Sequence, residues 1–470
     1  MNVQDKSFLV VGVGKSGIAA ATLLKEKHCK VSVYDGNKDL NEAGILKEHE
    51  ELKGVSMCFG TLTEELKKET DIVVLSPGVP TDLPFVQELA NAGKLIWGEI
   101  ELAYTFSKGD VVAITGTNGK TTTTTLVGEI MQEAYGNTDV VGNIGNPYTL
   151  EVTHQTDASV TVAEISSFQL ETTQEFHPLV SAILNITPDH LNRHHTMENY
   201  IKAKEDITKK QTKEDVCVLN YDNEYTGEFA KRCPANVVLF SSREKLEDGF
   251  YYEDGTIYRA GVRKEGTGKK GATFVSYNQD KDSVKEIMKT NEMNLVGLCN
   301  IENVMAALAI AESMNVPLDT TLKVIKSFKA VEHRIEFVAT KHGVDYYNDS
   351  KGTNPDAAIQ GIKAMTKPTI LIGGGYDKGS EYDEWIESFD NKVKLLVLIG
   401  ATKEKIAKCA KEHGINQVVL TDTFEDAMDI CIKEAKEGDA VLLSPACASW
   451  GMFTSYEERG KLFKKIVNAI

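Results

Sequence analysis

The chain has no excess of basic charge, no apolar run long enough to cross a bilayer and no closely paired cysteines, and each absence closes off a class of function. Lys and Arg number 52 against 69 Asp and Glu, a formal net charge of −17. That balance argues against nucleic acid or an anionic membrane as the main partner. Phosphate can still be bound locally by loops and helix ends. The eight cysteines are scattered and form no CxxC pair, so neither a zinc site nor a disulfide framework is indicated, and the reduced thiols of a cytoplasm are expected. No apolar run reaches about 18 residues and no signal peptide precedes the first strand, so a soluble cytoplasmic protein is expected. No internal repeat or low-complexity tract occurs. At 470 residues, 41% hydrophobic and 26% charged, the composition is that of a globular protein, and roughly 150 residues per domain gives about three domains.

What is present is concentrated in residues 111–125, VVAITGTNGKTTTTT. A β-branched run ends in two closely spaced glycines, a lysine and a row of threonines, which reads as a buried strand breaking into a tight loop that opens a helix. Gly116 and Gly119 let the N–H groups of Thr117, Asn118, Lys120 and Thr121 turn around an anion, with Thr122 continuing the helix start, whose partial positive charge adds to the attraction. Lys120 can reach the outer phosphates and the Thr121 hydroxyl can sit on Mg²⁺. The formal Walker pattern has a glycine where Ile114 stands, making this a variant P-loop. A bare Gly-Lys-Thr also occurs in ordinary turns; the preceding strand selects phosphate binding, and ATP is the expected ligand.

Around this loop the chain reads as three α/β units. The first has a strand at 7–12, a helix at 17–26 and a strand at 30–35, with Gly12-Val13-Gly14-Lys15-Ser16-Gly17 between the first two and Asp35 closing the third. Taken alone this is a dinucleotide fingerprint; a tight turn without any cofactor is the plainer reading. A further strand at 71–75 runs into the rigid turn Ser76-Pro77-Gly78. The middle unit adds a glycine-rich loop at 140–147, a strand at 159–165 carrying Glu164, a strand at 180–186 leading to Thr187-Pro188-Asp189-His190, a lysine-rich helix at 199–210, a peripheral hairpin region between about 243 and 289, and a helix at 300–314. The third begins near Ala330, and its strands end repeatedly in polar loops, as in open parallel sheets that bind ligands at their carboxyl ends. The expected fold class is α/β, three domains each on a mainly parallel sheet: a Rossmann-like domain at 1–104, a P-loop domain at 105–329 and a second Rossmann-like domain at 330–470.

The motifs TGTNGKTTT, GNIGNP, EISSFQLE, NITPDHLNRH, YIKAK, the pair His333 and Arg334, NDSKGTN and SPACAS stand in one order. Together they resemble the Mur ligases, the ATP-dependent amide-forming ligases of peptidoglycan precursor synthesis, and the resemblance spans all three units. It implies ATP and Mg²⁺ as cofactors, UDP-N-acetylmuramoyl-L-alanine and D-glutamate as substrates, and a monomer. It further implies an acyl phosphate, made from the L-alanyl carboxylate and ATP, that the amino-acid amine then attacks.

Residue roles follow from the same resemblance. Gly14, Lys15, Ser16, Gly17, Asp35, Ser76, Pro77, Gly78, Asn143 and Ser166 would hold the UDP-sugar. Glu164 would hold a metal, although a strand-end Glu is more often a solvated cap. His190 would be a second-metal ligand, whereas His194 and His195 are expected at the surface. Lys204 matches the family lysine that is carbamylated, with Lys202 the competitor two positions away on another helix face. Asn300, Asn303, Arg334 and Asp349 would hold ATP, and His333 would help to place the substrate or the transferring phosphate. Lys351, Thr353, Lys378, Ser449 and Tyr456 would receive the dicarboxylic amino acid. Cys299 departs from the histidine that commonly precedes Asn300, and Trp450-Gly451 from the usual Leu-Asp. Two rivals remain: a nicotinamide-dependent oxidoreductase, raised by the first glycine motif, and a sibling amide ligase such as folylpolyglutamate synthase or another Mur enzyme.

Overall fold

Apolar, β-branched runs form the inner strands of three separate sheets in the computed structural model, which describes residues 3–267, 273–278 and 284–470. The first sheet has five parallel strands in the order Ser56–Phe59, Lys30–Asp35, Ser7–Val11, Ile72–Leu75, Leu95–Gly98. Its helix Lys15–Glu26 starts two residues earlier than expected. The turn before it depends on two glycines. Gly12 sits at φ +100°, and a Cβ on Gly17 would lie 1.9 Å from the Gly12 carbonyl oxygen.

The second sheet has nine strands, with a parallel centre in the order Asn236–Ser241, Val216–Asn220, Val180–Ile183, Asp110–Thr115, Val160–Glu164, Thr138–Gly142. Strand Asp110–Thr115 has the later strands Val180–Ile183 and Val160–Glu164 on its two sides, so the chain leaves it in one direction and returns in the other. This is the topological switch point, where open parallel sheets present their ligand crevice. Residues 243–289 are only partly the peripheral hairpin expected. Val262–Thr267 pairs antiparallel with Thr273–Asn278 in a sheet of its own, but Gly249–Glu253, Thr256–Ala260 and Val284–Lys289 extend the nine-stranded sheet. The lysine-rich helix covers Met197–Glu205 and then tightens into a 3₁₀ turn, Asp206–Thr208.

The third sheet runs Glu336–Lys341, Val344–Asn348, Ala440–Leu443, Thr369–Gly374, Val393–Ile399, Val418–Leu420, antiparallel only in its first pair. Leu371, Leu396 and Leu442 pack on one face with Trp385, and Ile370, Val397 and Val441 on the other with Phe463. Burial on both faces explains why these strands are apolar throughout and not alternating.

The chain divides into two compact units. One holds the five-stranded sheet and the bulk of the nine-stranded one; the other comprises Asp254–Thr256, Met288–Val304 and Ile325–Ile470, with the six-stranded sheet. Among the described residues no helix is long and apolar enough to cross a membrane.

Candidate active site

The loop after strand Asp110–Thr115 is held open by its own backbone. Gly116 lies at φ +151° and Gly119 at φ +84°, conformations that glycine adopts without steric cost. The loop is pinned to the segment after Val180–Ile183. The Thr117 N–H donates to the Asn185 carbonyl at 2.9 Å, the Asn118 N–H to Asn185 Oδ1 at 2.8 Å, and Asn185 Nδ2 returns a bond to the Asn118 carbonyl at 3.1 Å. Thr117 Oγ1 donates to the Thr187 carbonyl at 3.1 Å and lies 3.0 Å from the Tyr200 hydroxyl. Helix Lys120–Tyr135 follows at once, with Thr121 and Thr122 buried in its first turn. Lys120 curls back, its Nζ donating to the carbonyls of Gly116 at 2.8 Å and Thr117 at 2.9 Å. A fixed loop at a helix N-terminus, with a lysine folded over it, is an anion cradle.

Lys204 approaches the same loop from helix Met197–Glu205. It is buried, its Nζ donates to the Gly116 carbonyl at 2.8 Å and it lies 4.7 Å over the Tyr200 ring. Burial holds its pKa well below the ordinary lysine value and Lys120 pushes the same way, while Asp189 and Glu164 oppose. Lys202 is exposed. Glu164, at the end of strand Val160–Glu164, is buried; Oε1 accepts from Asn143 Nδ2 at 2.7 Å and Oε2 has no hydrogen-bond partner. Two residues later Ser166 caps the short helix Ser167–Leu170 in a reciprocal arrangement with Gln169.

His190 adopts a left-handed conformation, φ +54°, and is exposed, its ring edge-on to Phe168 at 5.0 Å and its Nε2 3.5 Å from Asp189. His194 corrects an expectation: it is not a surface residue but is 4% exposed, its Nε2 2.9 Å from Ser167 Oγ and its Nδ1 3.2 Å from Glu171. The one-turn helix Leu191–His194 brings its ring against Phe168 and Tyr200, and burial lowers its pKa. His195 is exposed, as expected.

In the first sheet, the Gly14 backbone leaves open space where a Cβ would stand, as it does at Gly78. Asp35 supports the glycine turn itself, accepting from the N–H groups of Val13 at 3.2 Å and Asn37 at 2.9 Å. Ser16 follows in the first turn of the helix, while Lys15 Nζ reaches the Gly145 carbonyl at 3.3 Å. Ser76 Oγ is buried without a hydrogen-bond partner. A narrow cleft between the first two sheets brings Ser76 and Pro77 together with Glu99, Phe168 and Arg193, and Arg193 is fixed by Glu171 at 2.8 Å.

The remaining candidates lie in the second compact unit. Asn300 and Asn303 are buried and linked, Asn303 Nδ2 donating to Asn300 Oδ1 at 3.1 Å. Asp349 is buried; Oδ2 accepts from Ser444 Oγ at 2.7 Å and Oδ1 from the Ile335 N–H at 3.3 Å. Burial raises its pKa to about 6 against the opposing pull of Arg334. His333 is buried at φ +68°, and its Nδ1 accepts from Asn348 Nδ2 at 2.8 Å. That bond places the ring proton on Nε2, which has no hydrogen-bond partner. Lys351 sits 5.5 Å over the Tyr456 ring and the Thr353 N–H donates to the Lys351 carbonyl at 2.9 Å. Lys378 sits 5.4 Å over Trp450, and Ser449 is buried.

Three family models tile the chain: the Mur ligase MurD-like N-terminal domain at 6–98, the Mur ligase middle domain at 114–311 and the Mur ligase glutamate ligase domain at 333–447. The chain is 54% identical over 472 residues to the UDP-N-acetylmuramoylalanine--D-glutamate ligase of Lachnoclostridium phytofermentans, covering 100% of this chain and 99% of the relative. The enzyme of that name from Lachnospira eligens is 53% identical, with 100% of both chains covered. The chain belongs to the Mur ligase family. Among solved structures, UDP-N-acetylmuramate-alanine ligase of Thermotoga maritima superposes with a TM-score of 0.59 at 16% identity, over 99% of both chains. A pseudomurein peptide ligase type C from Methanothermus fervidus gives 0.54 at 20% identity, over 99% of this chain and 100% of that one. Both support the fold.

The two positions expected to depart from the family motifs, Cys299 and Trp450, have defined surroundings in this Mur ligase. Cys299 is partly buried, and burial raises its thiol pKa to about 12. Trp450 is half-exposed and stacks edge-on with Tyr376 at 5.5 Å, taking the Lys378 ammonium onto its face. Sequence reasoning missed Asn185, which locks the phosphate loop; the only trace of it is an asparagine directly after an apolar strand. It also missed Tyr200, whose hydroxyl meets Thr117.

Proposed function

We propose that this Mur ligase joins D-glutamate to UDP-N-acetylmuramoyl-L-alanine in peptidoglycan precursor synthesis, converting ATP to ADP and phosphate, as a cytoplasmic monomer with domains at 1–104, 105–329 and 330–470. The observation that carries this reading is the convergence of Lys120 and Lys204 on the Gly116 carbonyl of a phosphate loop. The full-length identity to ligases of that name supports the choice of substrates.

The L-alanyl carboxylate attacks the γ-phosphate, giving an acyl phosphate and ADP; the glutamate amine then attacks the acyl carbon, and the tetrahedral intermediate expels phosphate and leaves the amide. Lys120, now resting on two carbonyls, would turn to the transferring phosphate, where its attraction for the phosphate oxygens is stronger in the transition state than in the ground state. The unpartnered, buried Glu164 Oε2 fits a cation better than a cap, because an orphaned buried carboxylate oxygen is costly without one. Glu164, the Thr121 hydroxyl, His190 and a carbamylated Lys204 would hold Mg²⁺. Magnesium, when bound, offsets charge on the phosphate oxygens. Gly14, Lys15, Ser16, Gly17, Asp35, Ser76, Pro77, Gly78, Asn143 and Ser166 would hold the UDP-sugar; Asn300, Asn303, Arg334 and Asp349 the nucleotide, with His333 placing the reacting groups; and Lys351, Thr353, Lys378, Ser449 and Tyr456 the amino acid.

Phosphate release measured across a panel of UDP-muramoyl acceptors and amino acids tests the reading. Turnover is expected only with UDP-N-acetylmuramoyl-L-alanine and D-glutamate together. Faster release with a longer acceptor or with another amino acid would overturn it.

A further inference from the structure

Helix Tyr456–Ala469 begins at a Ser455 cap and carries Arg459 in its first turn. The Arg459 side chain is 1% exposed, and its hydrogen bonds all go to neutral oxygens. Nε donates to Ser350 Oγ at 3.0 Å and one terminal nitrogen to the Ser350 carbonyl at 2.8 Å, while both terminal nitrogens reach the Cys447 carbonyl at 3.4 Å. Burial draws its pKa down to about 10, so it remains a cation at neutral pH. The buried Asp349 attracts it from beyond hydrogen-bond reach, but a buried cation with no carboxylate bonded to it is expensive, and a fold that only needed to fill this space would do better with an apolar side chain.

What the guanidinium joins explains its retention. Ser350 immediately precedes Lys351, Cys447 stands two residues before Ser449, and Ser350 Oγ also donates to the carbonyl of Tyr456 at 2.8 Å. One planar fork therefore ties together the three segments that bear Lys351, Thr353, Ser449 and Tyr456. A lysine at this position donates from one nitrogen whose three N–H bonds rotate freely, and without the planar fork it does not fix the spacing between two segments. The neighbouring Gly460 is packed as closely: a Cβ there would stand 2.2 Å from His333 Nδ1.

We propose that Arg459 is a positioning residue of the amino-acid pocket, fixing the Ser350 turn and the 447–449 loop against Tyr456 so that their side chains meet the two carboxylates of the incoming amino acid together. The proposal rests on the assignment of those residues to the amino-acid site. A merely structural arginine would, on replacement, weaken every substrate and lower the melting temperature without selectivity.

Arg459→Lys separates the two. The KM for D-glutamate is expected to rise by about tenfold or more, while the KM values for ATP and the UDP-sugar stay within about twofold, the split that marks loss of one substrate's binding. Acyl-phosphate formation without amino acid, trapped as the hydroxamate with hydroxylamine, is expected at the wild-type rate. If Arg459→Lys loses its cooperative thermal transition, Ser350→Ala decides: it removes one of the anchored acceptors, and the same selective rise in the glutamate KM is expected, smaller in size. Parallel rises in all three KM values, or an unchanged glutamate KM in the variant that folds, would overturn the proposal. The wild-type enzyme is first run on the amino-acid panel; if another amino acid is the substrate, the functional reading fails while the Arg459 comparison is made with that amino acid.

Discussion

The Nζ of Lys204 lies 2.8 Å from the carbonyl oxygen of Gly116, the glycine that opens the phosphate loop. Lys120 donates to the same oxygen, and two ammonium groups on one buried carbonyl repel each other. The depressed pKa of Lys204 resolves the conflict by favouring its neutral amine. A neutral amine can also take up carbon dioxide, and the resulting carbamate would supply anionic oxygens near Glu164.

Lys204→Ala is therefore expected to lose most turnover, about ten- to a hundredfold by the scale of a lost support of a metal site, with part of it restored by added acetate or formate. Lys202→Ala, altering an exposed side chain on another helix face, is expected to stay near wild type. Steady-state phosphate release with and without small carboxylates reads both. Rescue in Lys202→Ala instead, or an active Lys204→Ala, would show that the wrong lysine had been assigned.

Lys120→Ala is expected to abolish phosphate release, by about a hundredfold or more, since one fixed donor to a transferring group is worth that much. The side chain rests on two carbonyls of its own loop and supports no core, so the melting temperature should move little. Calorimetry and the activity assay together check the point; activity within a few-fold of wild type would remove Lys120 from the mechanism.

Gly14 and Gly17 separate binding from folding within one motif. A Cβ at Gly14 meets nothing within 4 Å, whereas one at Gly17 meets the Gly12 carbonyl at 1.9 Å. Gly14→Ala should fold normally and raise the KM for the UDP-sugar more than that for ATP. Gly17→Ala should lose about 1–3 kcal/mol of stability through overpacking, seen as a lower melting temperature. Equal changes in both KM values for Gly14→Ala, or tight binding of NAD⁺, would show that the first sheet serves another ligand.

Much of this was legible in the sequence because the chemistry is written in contiguous stretches. Strand Lys30–Asp35 and the phosphate loop with its helix rest on neighbours within a turn or two, whereas only the family resemblance selects Lys204 over Lys202. Misreadings arose where the deciding partner is distant. His194 reads as a polar residue in a polar run; its burial depends on Glu171, Ser167 and the rings of Phe168 and Tyr200, none of them adjacent. Strand Gly249–Glu253 looks peripheral because its short, charged ends hide a buried start that pairs with Asn236–Ser241. Arg459 draws no reading from the sequence, because only the return of Ser350 and Cys447 encloses it.

Asp349 offers a test that does not depend on turnover. Its pKa is raised from 3.8 to about 6 by burial, with Arg334, the Ser444 hydroxyl and the Ile335 N–H opposing. A carboxyl whose folded pKa exceeds its unfolded value binds its proton more tightly in the fold. Its contribution to stability is thus fully present below about pH 4 and is lost as pH rises through about 6. At one pKa unit per about 1.4 kcal/mol, the loss amounts to about 1–3 kcal/mol. Asp349→Asn removes that titration while keeping an acceptor for the Ile335 N–H, and the Ser444 hydroxyl can rotate to accept from the new amide. The variant should melt higher than wild type at pH 7.5, match it near pH 4, and show a flatter stability curve between the two. Thermal melts of both proteins across that range decide the matter. A parallel pair of curves would mean that Asp349 is ionised throughout, with Arg334 outweighing the burial.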